Sequence, residues 1–357
     1  MSELAQRRAE RDERMLDPRL WEAVGRLVAG AADIDSLRAH RLELLAIRER
    51  RRQGLIVPAE LLPAARTSAA AALAVPRVLE RVRAACEGPI VILKGPEVAA
   101  WYPHPSLRAF NDLDLWVPAM PAVQDALLAA GFRPAQDGQT YRSGSHHLRP
   151  LHLEGAPLFV EVHSRPKWVD GGRPPTLDEI LAAAVDSAVQ VEGVHAPCPT
   201  HHAVLLAVHA WSHAPLGRLR DVIDIAAVRQ ACTAAEAGAV AERWGVSRIW
   251  GATERARAAL LEDAPAPWTL RTWARHLPRV RERTVLESHL ERWLAGFSSA
   301  GARGGTAAAL AAIGKDLRPY EGVRGSRTLS RSLRAVRNAF AHRSRHESQL
   351  EQGEAPE

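Results

Sequence analysis

The segment from residue 111 to 117 constrains this chain most, because it places two carboxylates two positions apart in an otherwise apolar stretch. Successive strand side chains point to opposite faces, so Asp112 and Asp114 share one face while Leu113 and Leu115 fill the other. Two unpaired carboxylates this close disfavour each other's ionised form, whereas a divalent cation bound by both favours it. The pattern therefore predicts a strand that binds a metal ion.

A glycine turn precedes this strand. The apolar residues 89–93 are followed by Lys94, Gly95 and Pro96, which is typical of a strand that stops at a turn, and residues 97–102 have a helical pattern. Backbone amides at such a turn can receive phosphate oxygens, and a lysine adds a point charge. The segment predicts a phosphate-binding turn.

A third carboxylate lies downstream, in the apolar residues 156–163. If this segment is a strand, Phe159, Glu161 and His163 share one of its faces. We expect that face to meet the one that carries Asp112 and Asp114.

Taken in order, these residues resemble nucleotidyltransferases of the DNA polymerase beta superfamily, in particular a divergent bacterial branch. The resemblance covers residues 90–166, with a weaker echo at His209 and residues 218–224. The residues that carry it are Leu93-Lys94-Gly95, Tyr102, Arg108, Asp112-Leu113-Asp114 and Glu161-Val162-His163.

The resemblance implies metal-dependent transfer of a nucleoside monophosphate from an NTP to an acceptor, with release of pyrophosphate. The metal would be Mg²⁺ or Mn²⁺, and the catalytic, metal-binding residues would be Asp112, Asp114 and Glu161. The residues that would contact the nucleotide are Lys94, Gly95, Arg108 and His163. Arg108 and His163 would lie next to the residues that bind the metal and the nucleotide and would support them.

One departure from the family pattern concerns Pro96. Many members carry a serine after the motif glycine, whose hydroxyl helps to hold the triphosphate. Proline offers neither a hydroxyl nor an amide hydrogen. This departure keeps open a catalytically inactive NTP-binding regulator as an alternative function.

The two aspartates also admit different interpretations. Asp112 and Asp114 could cap turns or pair with Arg108, and glycosyltransferases also use an Asp-x-Asp pair to hold a metal on a sugar nucleotide. The upstream Lys94 and Gly95 and the downstream Glu161 favour nucleotidyl transfer.

The basic charge balance suggests anionic ligands. The 357 residues carry 47 Lys and Arg against 41 Asp and Glu, with a pI near 9.8. Because the arginines are scattered among nearly as many acids, we expect no extended nucleic-acid groove. The favoured acceptor is a small molecule or a polypeptide bound between the sheet and the helices after residue 175; a tRNA-modifying nucleotidyltransferase is the alternative.

Three well-separated cysteines indicate neither a disulfide framework nor a zinc knuckle. The first residues lack an apolar signal core, and no apolar run is long enough to cross a membrane. We expect a cytoplasmic protein.

The pattern along the chain predicts an α+β fold in four parts. A helical region (1–88) precedes a small mixed sheet that forms the nucleotidyltransferase core (89–170), followed by a helical domain (171–346) and a flexible tail (347–357). The predicted strands are 90–93, 113–117, 148–153 and 158–163, and residues 189–194 form a short extended segment. The predicted helices include 36–53, 118–130, 201–211 and 247–262.

Single residues carry further predictions. Asp17 and Ser247 are predicted N-caps, and Thr176 with Glu179 a capping box. His209 and His213 are interpreted as packing or polar-bridging residues rather than zinc ligands, because the glutamate of a His-Glu-x-x-His motif is missing.

Overall fold

A single mixed sheet organises the computed structural model, which describes residues 17–135 and 146–316. In these ranges the strands are β1 (Ile90–Ile92), β2 (Asp112–Trp116), β3 (Arg133–Pro134), β4 (Leu151–His152), β5 (Phe159–His163), β6 (Val185–Asp186) and β7 (Val194–Ala196). Their order is β3-β4-β5-β2-β1-β7-β6. Strand β2 is antiparallel to β1 and parallel to β5, so the two longest strands lie side by side at the centre of the sheet.

Helices flank the sheet on both faces. The α-helices are α1 (Pro18–Ala29), α2 (Ile34–Ala39), α3 (Glu43–Arg52), α4 (Leu62–Ala85), α5 (Pro96–Ala99), α6 (Met120–Ala129), α7 (Leu177–Leu181), α8 (Pro199–His213), α9 (Leu219–Arg229), α10 (Ala234–Arg243), α11 (Ser247–Leu261), α12 (Trp268–Thr272) and α13 (Val285–Asp316). The last of these, α13, consists of two helical segments joined at Gly301, whose backbone is not helical (φ +71°, ψ −167°). The predicted α+β class, a small mixed sheet between helical regions, is confirmed.

Each face of the sheet is covered by its own apolar cluster. Leu113 and Leu115 belong to a cluster with residues of α4 and α6, such as Leu79 and Leu127. Trp116, on the opposite face of β2, belongs to a cluster formed largely by the helices at both ends of the chain. The alternation along β2 therefore turns Asp112 and Asp114 towards the same face as Trp116, which is the face covered by this second cluster.

The strands at the centre are confirmed to within a residue or two, but the sheet extends beyond the predicted core. Strands β6 and β7 lie after residue 170, and β7 pairs in parallel with β1. Only the first residue of β7 falls in the predicted extended segment 189–194. The predicted strand at 148–153 is reduced to two residues, Leu151 and His152. The four-part domain division stays a prediction.

Several helix predictions hold and others are wrong. Asp17 caps α1 by accepting from the amide of Arg19. The predicted helix 36–53 is two helices, because the chain turns at Arg41, whose φ is +54°. Ser247 is the first residue of α11 rather than its N-cap, which is Val246.

The capping box at α7 is half formed. Thr176 accepts from the amide of Glu179 at 3.1 Å, as predicted. The Glu179 carboxylate instead accepts from the side chains of Arg243 and Trp244. The last predicted segment, residues 347–357, lies outside the described residues. No helix among the described residues has the length and apolarity needed to cross a membrane.

Candidate active site

Strands β2 and β5 bring the predicted acids together. Asp114 and Glu161 are Cα partners across the parallel pair, and Asp112 is the partner of Phe159. The Asp114 side chain is only 2% exposed, whereas that of Glu161 is 23% exposed. The expectation that the faces of the two strands meet is confirmed, because one register places all three carboxylates on the same side of the sheet.

His163 completes a compact group of donor atoms with Asp114 and Glu161. Its Nε2 lies 3.0 Å from Oδ1 of Asp114 and 3.5 Å from Oε2 of Glu161. One ligand atom from each of the three residues lies within 4.8 Å of the others. Atoms that bind one ion at about 2.0–2.2 Å are separated by such distances.

Unsatisfied polar atoms in this group also fit a bound cation. Both ring nitrogens of His163 are buried without a contact of hydrogen-bond geometry, whereas the buried Oδ2 of Asp114 has the ion pair with Lys94 as its polar contact. The short distances to neighbouring atoms are therefore contacts of poor hydrogen-bond geometry, and a buried polar atom left in this way costs free energy. A metal ion bound by Nε2 of His163 would remove part of that cost. Asp112 lies outside this group of three, and its role as a metal ligand stays a prediction.

The electrostatics keep the carboxylate at the centre of the site ionised. Burial alone would raise the pKa of Asp114, but Lys94 and His163 outweigh it and hold that pKa well below its usual range. The pKa of Asp112, by contrast, is raised by burial and by the charge of Asp114. Because burial opposes charge on His163 while Asp114 and Glu161 favour it, the pKa of His163 is raised overall.

Lys94 is the cation nearest to the acids. Its Nζ lies 3.0 Å from Oδ2 of Asp114 and 3.2 Å from Nε2 of His209. Burial would lower the pKa of Lys94, but Asp114 and Asp112 raise it, so the ammonium is charged at neutral pH. Lys94 therefore lies beside the acids, and its predicted contact with a nucleotide stays a prediction.

Gly95 makes the turn that brings β1 close to β2. Its φ of +64° favours glycine, and a Cβ at this position would lie 3.2 Å from the backbone oxygen of Asp112. The following helix, α5, has only four residues and begins with Pro96. A phosphate-binding role for this turn stays a prediction.

Arg108 and Tyr102 belong to a buried network rather than to the acid cluster. Arg108 donates from Nε and Nη2 to the two oxygens of Asp224, both at 2.8 Å, and from Nη1 to the carbonyl of Gly95 at 3.2 Å. The hydroxyl of Tyr102 donates to Asp224 at 2.6 Å. This network ties the turn at Gly95 to helix α9, and the predicted nucleotide contact of Arg108 stays a prediction.

A pocket adjoins the group of Asp114, Glu161 and His163, between the end of β5 and helix α8. Its polar lining consists of Lys94, Asp114, His163, Lys167 and His209, beside apolar residues of α8 such as Leu205 and Leu206. Sequence reasoning missed Lys167. It placed His209 among bridging or packing residues, and the contact with Lys94 confirms the bridging role.

Comparison with known families agrees with this geometry. The family model described as uncharacterised nucleotidyltransferase matches residues 34–287. The chain belongs to this family. The match spans α2 to the start of α13 and so includes both the sheet of this nucleotidyltransferase family member and the helices α8 and α9 that face its site. No curated protein and no solved structure matches the chain.

Proposed function

We propose that this protein is a metal-dependent enzyme that transfers a nucleoside monophosphate from an NTP to an acceptor hydroxyl and releases pyrophosphate. The observation that carries the proposal is the group of Asp114, Glu161 and His163, in which Asp114 and His163 are buried and both ring nitrogens of His163 lack a hydrogen bond, beside Lys94. The family match supports the reaction class. The donor set suits a divalent ion that accepts both oxygen and nitrogen ligands.

The reaction is an in-line displacement at the α-phosphorus. The acceptor oxygen forms a bond to phosphorus, the bond to the bridging oxygen breaks, and pyrophosphate leaves with the electron pair. A divalent ion would offset charge on the attacking and leaving oxygens. Asp114 and Glu161 would hold that ion, and Asp112 would contribute from the same strand face.

Other residues have supporting roles in this proposal. Lys94 would neutralise phosphate charge next to Gly95, whose missing side chain lets the backbone approach. Glu161, the more exposed of the two cross-strand partners, would be able to take the proton of the acceptor hydroxyl. Arg108 would position the turn through its bond to the carbonyl of Gly95.

The acceptor in this proposal is a small molecule or a polypeptide that enters between the sheet and the helices after residue 175. The pocket beside Asp114 is lined by Leu205, Leu206 and His209 of helix α8, and this placement supports the assignment. A cytoplasmic location belongs to the proposal as well, supported by three free cysteines, of which Cys86 is buried.

Incubation of the purified protein with each labelled NTP, Mg²⁺ or Mn²⁺ and a fractionated cell extract tests this function. Label transferred to a metabolite or a polypeptide, with matching release of pyrophosphate, is the expected result. NTP binding without any turnover would instead support the alternative that Pro96 suggests, a catalytically inactive NTP-binding regulator. Label on tRNA, with affinity that falls steeply as salt rises, would favour the tRNA-modifying alternative.

A further inference from the structure

Lysine is rare in this chain, and its distribution is uneven. The sequence contains 47 lysines and arginines in total, and three of them are lysines: Lys94, Lys167 and Lys315. Two of these three line the same pocket, beside Asp114 and His163. A lysine differs from an arginine in presenting a compact point charge on a flexible stem. The chain uses arginine almost everywhere else, so two lysines in one pocket indicate a site that needs a compact positive charge.

The two lysines of the pocket, Lys94 and Lys167, each contact a histidine of helix α8. Lys94 Nζ lies 3.2 Å from Nε2 of His209, and Lys167 Nζ lies 3.1 Å from Nδ1 of His213. The two histidines are four residues apart and therefore lie on one face of the helix, with ring centroids 4.5 Å apart. One helix face thus positions both ammonium groups.

The histidines act as hydrogen-bond acceptors in these contacts. Burial and the charge of Lys94 hold the pKa of His209 well below its usual range. The partial burial of His213 and the charge of Lys167 lower its pKa to about 4. Neutral rings can each present a lone pair to an ammonium group, whereas charged rings would repel it.

The two ammonium groups differ in their anionic partners. Lys94 is paired with Asp114. Within residues 17–135 and 146–316, Lys167 belongs to no ion pair, and its polar contact is the one with His213. Burial and the charge of Lys94 lower the pKa of Lys167, so the two cations stand close enough to repel each other. An anion bound between them would relieve that repulsion.

From these contacts we infer that Lys94 and Lys167, here called the lysine clamp, bind the phosphate tail of the nucleotide, while His209 and His213 aim the two ammonium groups. The inference rests on the proposed function for the identity of its ligand. It adds a phosphate-binding residue, Lys167, and two positioning residues on α8. It also places the tail in the pocket beside His163, one of the residues that would hold the metal.

Calorimetric titration of the full chain with inorganic triphosphate, in excess Mg²⁺, tests the lysine clamp without any chemistry. Lys167→Gln should weaken binding about tenfold, since it removes one charge-assisted hydrogen bond. Arg165→Gln is the matched control, because it removes one positive charge from an exposed side chain two residues away. It should change the dissociation constant less than about twofold, as expected for screened surface charge. Equal losses in both variants, or an unaffected Lys167→Gln protein, would overturn the clamp.

Two substitutions of His213 test its positioning role. Asn can accept a hydrogen bond near the position of Nδ1, whereas Leu cannot. His213→Asn should therefore bind triphosphate like the wild type, and His213→Leu should lose most of what Lys167→Gln loses. Equal binding by the two variants would overturn the role of His213. Thermal unfolding of each variant checks that the fold is intact.

The same titration separates failure of the clamp from failure of the proposed function. Triphosphate binding that depends on Lys167, in a protein that transfers no nucleotide, would support the clamp and contradict the function. Nucleotidyl transfer with an unchanged KM for the NTP in Lys167→Gln would support the function and overturn the clamp. A wild-type protein that binds no triphosphate would also overturn the clamp.

Discussion

Asp114 and Glu161 lie directly opposite each other on two parallel strands, and His163 reaches both carboxylates with the same nitrogen atom. A cross-strand pair of like charges destabilises a sheet. The structure retains this pair at its centre, with Asp114 almost fully buried. A cation bound between the two carboxylates would attract both of them and so offset their mutual repulsion. The contribution of each acid is therefore the first property to test.

Removing single acids should abolish transfer without unfolding the protein. Asp112→Asn, Asp114→Asn and Glu161→Gln should each lower the rate of nucleotidyl transfer at least about a hundredfold, because each removes charge where phosphate charge must be offset. The rate is measured as pyrophosphate release, with circular dichroism to check folding. Asp186→Asn, at an exposed acid of strand β6, is the control and should keep wild-type turnover. Near-normal turnover of both the Asp112 and Asp114 variants would refute the mechanism.

His163 should make the site favour Mn²⁺ over Mg²⁺. Imidazole is a better ligand for transition metals than for Mg²⁺, which prefers oxygen donors. Bound Mn²⁺ should therefore show a nitrogen hyperfine coupling in pulsed electron paramagnetic resonance. His163→Gln should remove that coupling and weaken Mn²⁺ binding about tenfold or more, with a smaller effect on Mg²⁺. An unchanged spectrum in the variant would exclude His163 as a ligand.

The network around Asp224 should dominate the stability of the contact between the turn at Gly95 and helix α9. Asp224→Ala leaves Arg108 buried without its partner and should lower the free energy of unfolding by about 3–5 kcal/mol. Tyr102→Phe removes one hydrogen bond to a charged group and should cost about 1.5–3 kcal/mol. Urea denaturation measures both values.

A surface ion pair supplies the control for these substitutions. Asp35 pairs with Arg38 at 2.9 Å, with side chains 73% and 48% exposed. Asp35→Asn should change the free energy of unfolding by less than about 1 kcal/mol. A similar cost for Asp35→Asn and Asp224→Ala would contradict the assignment of Asp224 as the buried partner of Arg108.

Three buried histidines should make the protein unstable in mild acid. Burial lowers the pKa of His40 and His202 from 6.5 to about 4 and that of His276 to about 3. Below about pH 6.5 the unfolded chain binds protons that the folded chain does not, so stability falls as the pH decreases towards 4. Each neutral histidine contributes a slope of about 1.4 kcal/mol per pH unit in that window. Above it, these three groups add no pH dependence.

His202→Gln isolates one of these contributions. The His202 ring lies 2.9 Å from the carbonyl of Leu93, and a glutamine amide can donate to the same oxygen without titrating. The variant should show a shallower fall in unfolding free energy between pH 6.5 and 4, measured by urea denaturation across a pH series. Identical slopes for the variant and the wild type would refute this role.

The sequence was sufficient to predict the central strands and the acids on them, because alternation with a period of two is a strong local signal. It placed Asp112, Asp114 and Glu161 on one side of the sheet before any register was known. The short strands β3, β6 and β7 have two or three residues each and show no periodicity to detect. The turn at Arg41 between α2 and α3 could not be predicted either, because its left-handed backbone conformation occurs at an arginine rather than at a glycine or asparagine.

The contacts that complete the site join residues far apart in the chain, which local patterns cannot reveal. Arg108 meets Asp224 across 116 positions, and Lys94 meets His209 across 115. Only the resemblance linked these segments, through its weak echo at His209 and residues 218–224. Lys167 had no motif around it, although its rarity as a lysine was a usable signal.

Strand β7 has a consequence for how the chain folds during synthesis. Strand β1, which ends just before Lys94, pairs with β2 on one side and with Val194–Ala196 on the other. On the ribosome, the segment that carries the acids therefore emerges long before the strand that covers β1. Until Ala196 has left the exit tunnel, β1 presents an open edge, and such edges promote aggregation. A pause in translation before Ala196 has left the exit tunnel would therefore leave the nascent sheet incomplete, whereas a later pause would leave β1 covered on both sides.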